Sequence, residues 1–294
     1  MPSANTSRVH LALFLTMMVW GVNLSAVKGL TETLDILLVA AVRMIIASAV
    51  LAVMSWQWGR SLVHWKVRDW ILLVIAAFFL VYCQQIAFAA GLARTSATNA
   101  ALVMALGPAV SLTLEALAFR RPIFRRQILG IFLALGGVTS VILSRPHAAL
   151  TSAAWGDFWI FCSVFGFALG GLCIQRLTSN GSPLSISLAV HCAGALMLIL
   201  QVALSVQSPV HDVLNMGPWQ WSLAGFSAVF ATGIGAVIWS RGISIIGVGR
   251  TSSYISWVPI FGVCFGALFF SEPLTVWHLG GLVAVILGSA LIAR

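Results

Sequence analysis

An arginine interrupts the apolar run ILLVAAVRMIIASAVLAV, and a histidine interrupts SISLAVHCAGALMLIL. If these runs cross a bilayer, Arg43 lies nine residues, about 14 Å, into its helix. Arginine at that depth costs about 2.5 to 3.5 kcal/mol, so the side chain must turn inward to polar partners. No carboxylate stands at comparable depth: Glu115 is about 30 Å along its own run from Thr95, beside Arg120 and Arg121, where an acid sits at the membrane interface. Two roles stay open for Arg43, hydrogen bonding to helix-end carbonyls or capture of a solute's carboxylate. His191, at a matching depth in its own run, is the mid-run group able to titrate near neutral pH. A structural histidine satisfied by its neighbours is the other reading.

Further polar and aromatic residues follow helical spacing. Thr16, Trp20, Asn23 and Val27 share one face of the first run, which suits either a cavity wall or interhelical hydrogen bonding. Tyr82 and Gln85 share a face, with Gln84 and Phe88 beside them. Two adjacent amides facing lipid would be costly, so one must point inward, and Gln85 is favoured because Tyr82 lies on its side. Asn99 and Met104 lie in the fourth run, Trp239 in the eighth, and Tyr254, Trp257 and Phe261 recur along the ninth. Trp20, Asn23, Arg43, Tyr82, Gln85, Asn99, His191, Trp239, Tyr254 and Trp257 are therefore the residues expected to touch a small-molecule substrate.

The same residues exclude other chemistry. There is no His-Glu-x-x-His run, no mid-depth acid pair and no phosphate-binding loop, which argues against an intramembrane enzyme or an ATP-driven pump. Gly233-Ile234-Gly235 and Gly247-Val248-Gly249 do not complete a dinucleotide fingerprint. Cys83, Cys162, Cys173, Cys192 and Cys264 lack ligand spacing and read as small buried hydrophobes. No catalytic residue, metal or cofactor is expected, and nothing in the sequence demands an oligomer.

These positions need a lipid setting. The 294 residues are 60% hydrophobic and 8% charged, with a mean hydropathy of +1.03, far from soluble composition. A helix needs roughly 20 apolar residues to cross a bilayer. Ten such stretches can be drawn, near 9–30, 34–56, 69–92, 95–118, 124–144, 155–177, 183–206, 218–240, 249–271 and 274–293. The expected class is an all-α integral membrane protein of ten transmembrane helices. With the N-terminus inside, Arg8, Arg60, Lys66, Arg68, Arg120, Arg121, Arg125, Arg126, Arg176, Arg241, Arg250 and Arg294 fall on the cytoplasmic side, against Lys28, Arg94 and Arg145 outside. That bias puts both termini in the cytoplasm. It also explains the net charge of +9 as a topology signal that can touch membrane lipid, with no nucleic-acid partner.

A repeat runs through the chain. Gly91 and Gly242, Pro108 and Pro259, Pro122 and Pro273, Gly130 and Gly281, and Gly137 and Gly288 are each separated by 151 residues. Upstream the offset slips to about 148, where Arg43 meets His191. The matched residues are those that carry backbone geometry. Residues 1–146 and 147–294 thus read as two five-helix repeats. An odd number of crossings sets the second half upside down, the inverted architecture common among carriers. Arg121 and its equivalent Glu272 differ in charge, as opposite sides of the membrane predict. The duplicated mid-run proline should free the carbonyls of Met104 and Ile255.

These motifs resemble the EamA-type exporters of the drug/metabolite transporter superfamily. The resemblance rests on Trp20-Gly21-Val22-Asn23 with Lys28, on Arg43 closing LLVAAVR, and on Pro259 through Ser271-Glu272-Pro273-Leu274 to Gly280-Gly281. The first-half counterpart departs, with Arg121 where an acid would be expected. The resemblance implies ten helices in two inverted halves, a bacterial inner-membrane location, and export of small metabolites or drugs. Within the superfamily it points to the YddG-type aromatic amino-acid exporters.

Overall fold

Long apolar runs become helices because hydrocarbon offers backbone N–H and C=O groups no other partners. The computed structural model describes residues 4–57, 65–120, 122–143, 152–270 and 275–293, and these are helical throughout with short connections and no strand. Among the described residues, seven helices are long and apolar enough to cross a membrane: Ser7–Thr31, Ile36–Gln57, Val67–Leu92, Ala97–Ala118, Ala154–Leu177, Pro183–Ser205 and Pro218–Ile246. Val276–Ile292 is a shorter apolar helix. Helix Arg125–Leu143 and the broken helix running through Val258–Phe270 occupy the two other predicted stretches. The ten stretches are called the first to tenth segments below. The short helix Pro209–Leu214 lies between the seventh and eighth. Arg60, Arg121, Arg145, Arg294 and the run Ser271–Leu274 lie outside the described residues, and with them the charge contrast between Arg121 and Glu272 and the match of Pro122 to Pro273.

The eighth segment runs on to Ile246, past the predicted end at 240. It stops where Gly247 takes φ +82°, a backbone conformation that suits glycine and terminates a helix.

Four segments are irregular, at matching places. The third widens into π-helix over Phe78–Cys83 and the eighth over Ser227–Ile234. The fourth breaks after Met104 and restarts at Gly107 with Pro108 in its first turn. The ninth passes through a 3-10 turn, Ser253–Trp257, before restarting at Val258 ahead of Pro259. Proline supplies no N–H to the preceding turn, so each break falls just upstream of it, beside the two carbonyls expected to be freed.

Glycines mark where segments touch. A Cβ on Gly130 would meet the Gly288 carbonyl and one on Gly137 the Gly281 carbonyl, so the fifth and tenth segments run antiparallel. Gly107 abuts Ile255 and Gly262 abuts Ala101, so the fourth and ninth are antiparallel too. Gly91 lies on Ile160 and Gly170 on Leu80, joining the third to the sixth, while Gly242 lies on Leu13 and Gly235 on Thr16 and Trp20, joining the eighth to the first. At one end Lys28 Nζ donates to the Thr95 carbonyl at 3.0 Å, and Thr95 Oγ1 donates to Asp157 at 2.7 Å.

Candidate functional site

Arg43 is 1% exposed and sits at the wall of a central cavity. Its partners are neutral: Nε donates to Ser227 Oγ at 2.5 Å, Nη1 to Gln85 Oε1 at 2.9 Å and Nη2 to Thr232 Oγ1 at 3.5 Å. Its guanidinium carbon lies 5.9 Å from the Phe88 ring centre. The helix-end carbonyls offered by the sequence reading are not its partners. Hydroxyl and amide oxygens do that work, and no Asp or Glu among the described residues lines the cavity. Ser227 Oγ passes the network on by donating to Asn23 Oδ1.

The π-helical turn makes this cradle possible. Hydrogen bonding from i to i+5 stacks residues about five apart, where an α-helix would turn them to different faces. Ser227 and Thr232 therefore face Arg43 together, and Thr232 Oγ1 closes on the Ser227 carbonyl at 3.0 Å. The π turn in the third segment likewise rotates the residues beyond it. Leu80, Gln84, Gln85 and Phe88 all reach the cavity, whereas Tyr82 turns away to stack on Phe78 and donate to Gln201 Oε1 at 3.1 Å.

Aromatic rings also line the cavity. Trp20, Phe167 and Trp239 contact one another, with ring centres 5.6 Å (Trp20 to Phe167), 5.3 Å (Trp20 to Trp239) and 5.0 Å (Phe167 to Trp239) apart. Trp20 Nε1 donates to the Ala231 carbonyl, inside the π-helical turn, at 2.8 Å. Trp239 is 2% exposed and its Nε1 has no partner.

His191 Nδ1 donates to the Ser187 carbonyl at 2.8 Å, which leaves Nε2 as the acceptor in the neutral ring. Ser187 and Ser240 share a hydrogen bond of 2.9 Å in the same wall. Gln84, passed over in favour of Gln85, is 7% exposed with Oε1 buried and unpartnered. The cavity offers about 100 Å³ to the centres of water-sized molecules.

Trp20, Asn23, Arg43, Gln85, His191 and Trp239 thus come together, and Tyr82, Asn99, Tyr254 and Trp257 do not. Ser96 Oγ caps a helix start by accepting from the Asn99 backbone N–H, and Asn99 Oδ1 lies 3.3 Å from His278 Nε2. Tyr254 OH lies 2.5 Å from His10 Nδ1. Trp257, 43% exposed, packs edge-on against Phe14. In the first segment Thr16 bonds back to the Ala12 carbonyl and Val27 is buried beyond the cavity. Glu115, read as an interfacial acid, is buried against the close approach of Gly249.

The cavity lining comes from the first four and the sixth to ninth segments, while the fifth and tenth pack on each other outside it. Against known proteins, the model of the EamA-like transporter family matches this chain twice, over residues 7–143 and again over 154–294. The chain belongs to the EamA-like transporter family. Several proteins are similar to it over two thirds of the chain or more. The uncharacterized transporter YyaM of Bacillus subtilis is 32% identical over 203 residues, 68% of this chain and 66% of that protein. The uncharacterized transporter YetK of the same organism is 24% identical over 95% of this chain and 84% of its own length. An uncharacterized transporter of Archaeoglobus fulgidus is 25% identical over 97% and 98%. A crystal structure with 15% identity matches this EamA-like fold at a TM-score of 0.75, covering 97% of this chain and 96% of that one.

Proposed function

We propose that this chain is a secondary transporter that exports small metabolites by alternating access around the Arg43 cavity. The observation that carries the reading is the cavity itself: lined by polar and aromatic side chains together, drawn from segments of both halves, and bordered by broken or π-helical turns. Irregular backbone at membrane depth is tolerated where it lines such a space, and carriers place substrate at the midplane between repeats.

Ten crossings in two inverted repeats, 1–146 and 147–294, complete the reading. The family match to 7–143 and 154–294 supports the duplication. The inversion is supported by contacts that exchange: Gly130 meets Gly288 while Gly137 meets Gly281, and 130 is the equivalent of 281 as 137 is of 288. Antiparallel helices with exchanged contacts are related by a two-fold axis perpendicular to both. For helices that cross a membrane, that axis lies in the membrane plane. The cation bias puts both termini in the cytoplasm of a bacterial inner-membrane protein.

Amino acids are the favoured cargo, aromatic ones above all, because the Trp20, Phe167 and Trp239 wall suits an apolar ring. Transport is facilitated diffusion or exchange, since no acid among the described residues lines the cavity to carry a proton. Proton-coupled export of drugs or quaternary amines is the competing reading, and channel or enzyme activity has no feature in its favour. The test is uptake of radiolabelled amino acids, quaternary amines and nucleosides by purified protein in liposomes. Saturable uptake with counterflow is expected for an amino acid. Ion currents in planar bilayers would replace the carrier with a channel.

A further inference from the structure

Arg43 has five N–H donors, and its three hydrogen bonds leave one on each terminal nitrogen. It is at the same time a buried cation with only neutral partners. Such a charge is poorly compensated in a low-dielectric interior, and an anion within reach is its natural complement. Acceptors stand elsewhere in the same wall system: Gln84 Oε1 is buried without a partner, and His191 keeps Nε2 free while Nδ1 is tied to Ser187.

We infer that the cavity selects solutes by their carboxylate, which completes the coordination of Arg43, while an amino group on the same solute faces Gln84 and His191. This rests on the transporter reading and sharpens it. A permanently cationic solute finds no carboxylate among the described residues of the cavity lining and a fixed positive charge in its path, so quaternary amines are excluded by electrostatics and not by size. Gln85, Ser227 and Thr232 act as positioning residues, because they hold the guanidinium and leave its remaining donors for the solute.

The test compares matched solutes on the unaltered protein in detergent, by equilibrium binding: L-tryptophan, tryptophanamide, tryptamine and indole-3-propionate, then L-leucine and leucinamide, with choline as the cation. Carboxylates should bind, their carboxamides and amines about 10- to 100-fold more weakly, the range for one hydrogen bond to a charged group. Choline should not bind. Indole-3-propionate should fall between L-tryptophan and tryptamine. Arg43→Lys keeps the charge and should retain a measurable preference for carboxylates; Arg43→Gln should abolish it.

Equal binding of acid and amide, binding of choline, or binding of none of the carboxylates would overturn the inference. Liposome flux is read separately. Carboxylate-selective binding without flux would sink the transporter reading and leave this inference standing. Flux that ignores the carboxylate would do the reverse.

Discussion

Gly130 and Gly288 leave each other no room for a side chain: a Cβ on either would come within 2.5 Å of the other's carbonyl oxygen. Gly137 and Gly281 repeat the relationship at 2.9 Å. Small residues let helices approach closely in lipid, where dispersion and weak polar contacts replace the hydrophobic effect. Gly288→Ala should therefore cost about 1 to 3 kcal/mol, the usual cost of overpacking. Gly280→Ala, whose Cβ meets nothing within 4 Å, should be near neutral. Thermal unfolding of the two variants in one detergent separates them, and equal stabilities would show that the fifth and tenth segments do not pack this way.

Ser227 holds Arg43 and donates to Asn23, joining the eighth segment to the second and first. Ser227→Ala leaves a buried guanidinium short of an acceptor, a loss of about 1.5 to 3 kcal/mol. Thermal unfolding should register that loss, and Gln85→Ala, which removes a second acceptor, should act in the same direction. An unchanged melting temperature in Ser227→Ala would mean that water replaces the hydroxyl freely.

Trp239 separates stability from binding. Its indole N–H has no partner, so Trp239→Phe removes an unsatisfied donor while keeping a ring against Trp20 and Phe167. Stability should hold or rise slightly. Solute affinity should fall by about 3- to 10-fold if the N–H serves the cargo, the range of one neutral hydrogen bond. Calorimetry on the variant reads both, and a large loss of stability with unchanged affinity would assign Trp239 to packing alone.

Flux should follow the solute gradient in vesicles with no pH difference, because the cavity wall carries no carboxylate among the described residues. His191 remains the group that could couple a proton; because its Nε2 also faces the solute, His191→Gln should weaken flux while leaving it independent of any pH gradient. Strict dependence of uptake on a pH gradient, abolished by that substitution, would reassign the mechanism to proton coupling.

The sequence made the helices and their order legible, since bilayer-length apolar runs and charged punctuation can hardly be arranged otherwise. It also marked the glycines of the fifth and tenth segments, and it brought out Arg43, Trp20, Asn23, Gln85, His191 and Trp239. Helix faces were harder to read. Lipid is as apolar as the protein interior, so a run apolar all round does not say which side is buried. Ser227, Thr232, Ser187, Ser240 and Phe167 escaped for that reason. Gln84 and Tyr82 were misassigned a side because a period of 3.6 residues fails across the π turn at Phe78–Cys83. The adjacent amides were the one available signal for Gln84, since either could have been the inward one.

In the proposed transport cycle, one cavity is reached from each side of the membrane in turn. Met104 lines it at the break in the fourth segment. A single cysteine introduced as Met104→Cys, with the five native cysteines replaced, can be challenged with a membrane-impermeant thiol reagent applied to either face of sealed, oriented vesicles. Labelling from both faces, slowed from both by transported solute, is the predicted result. Labelling from one face alone, whatever solute is present, would contradict it.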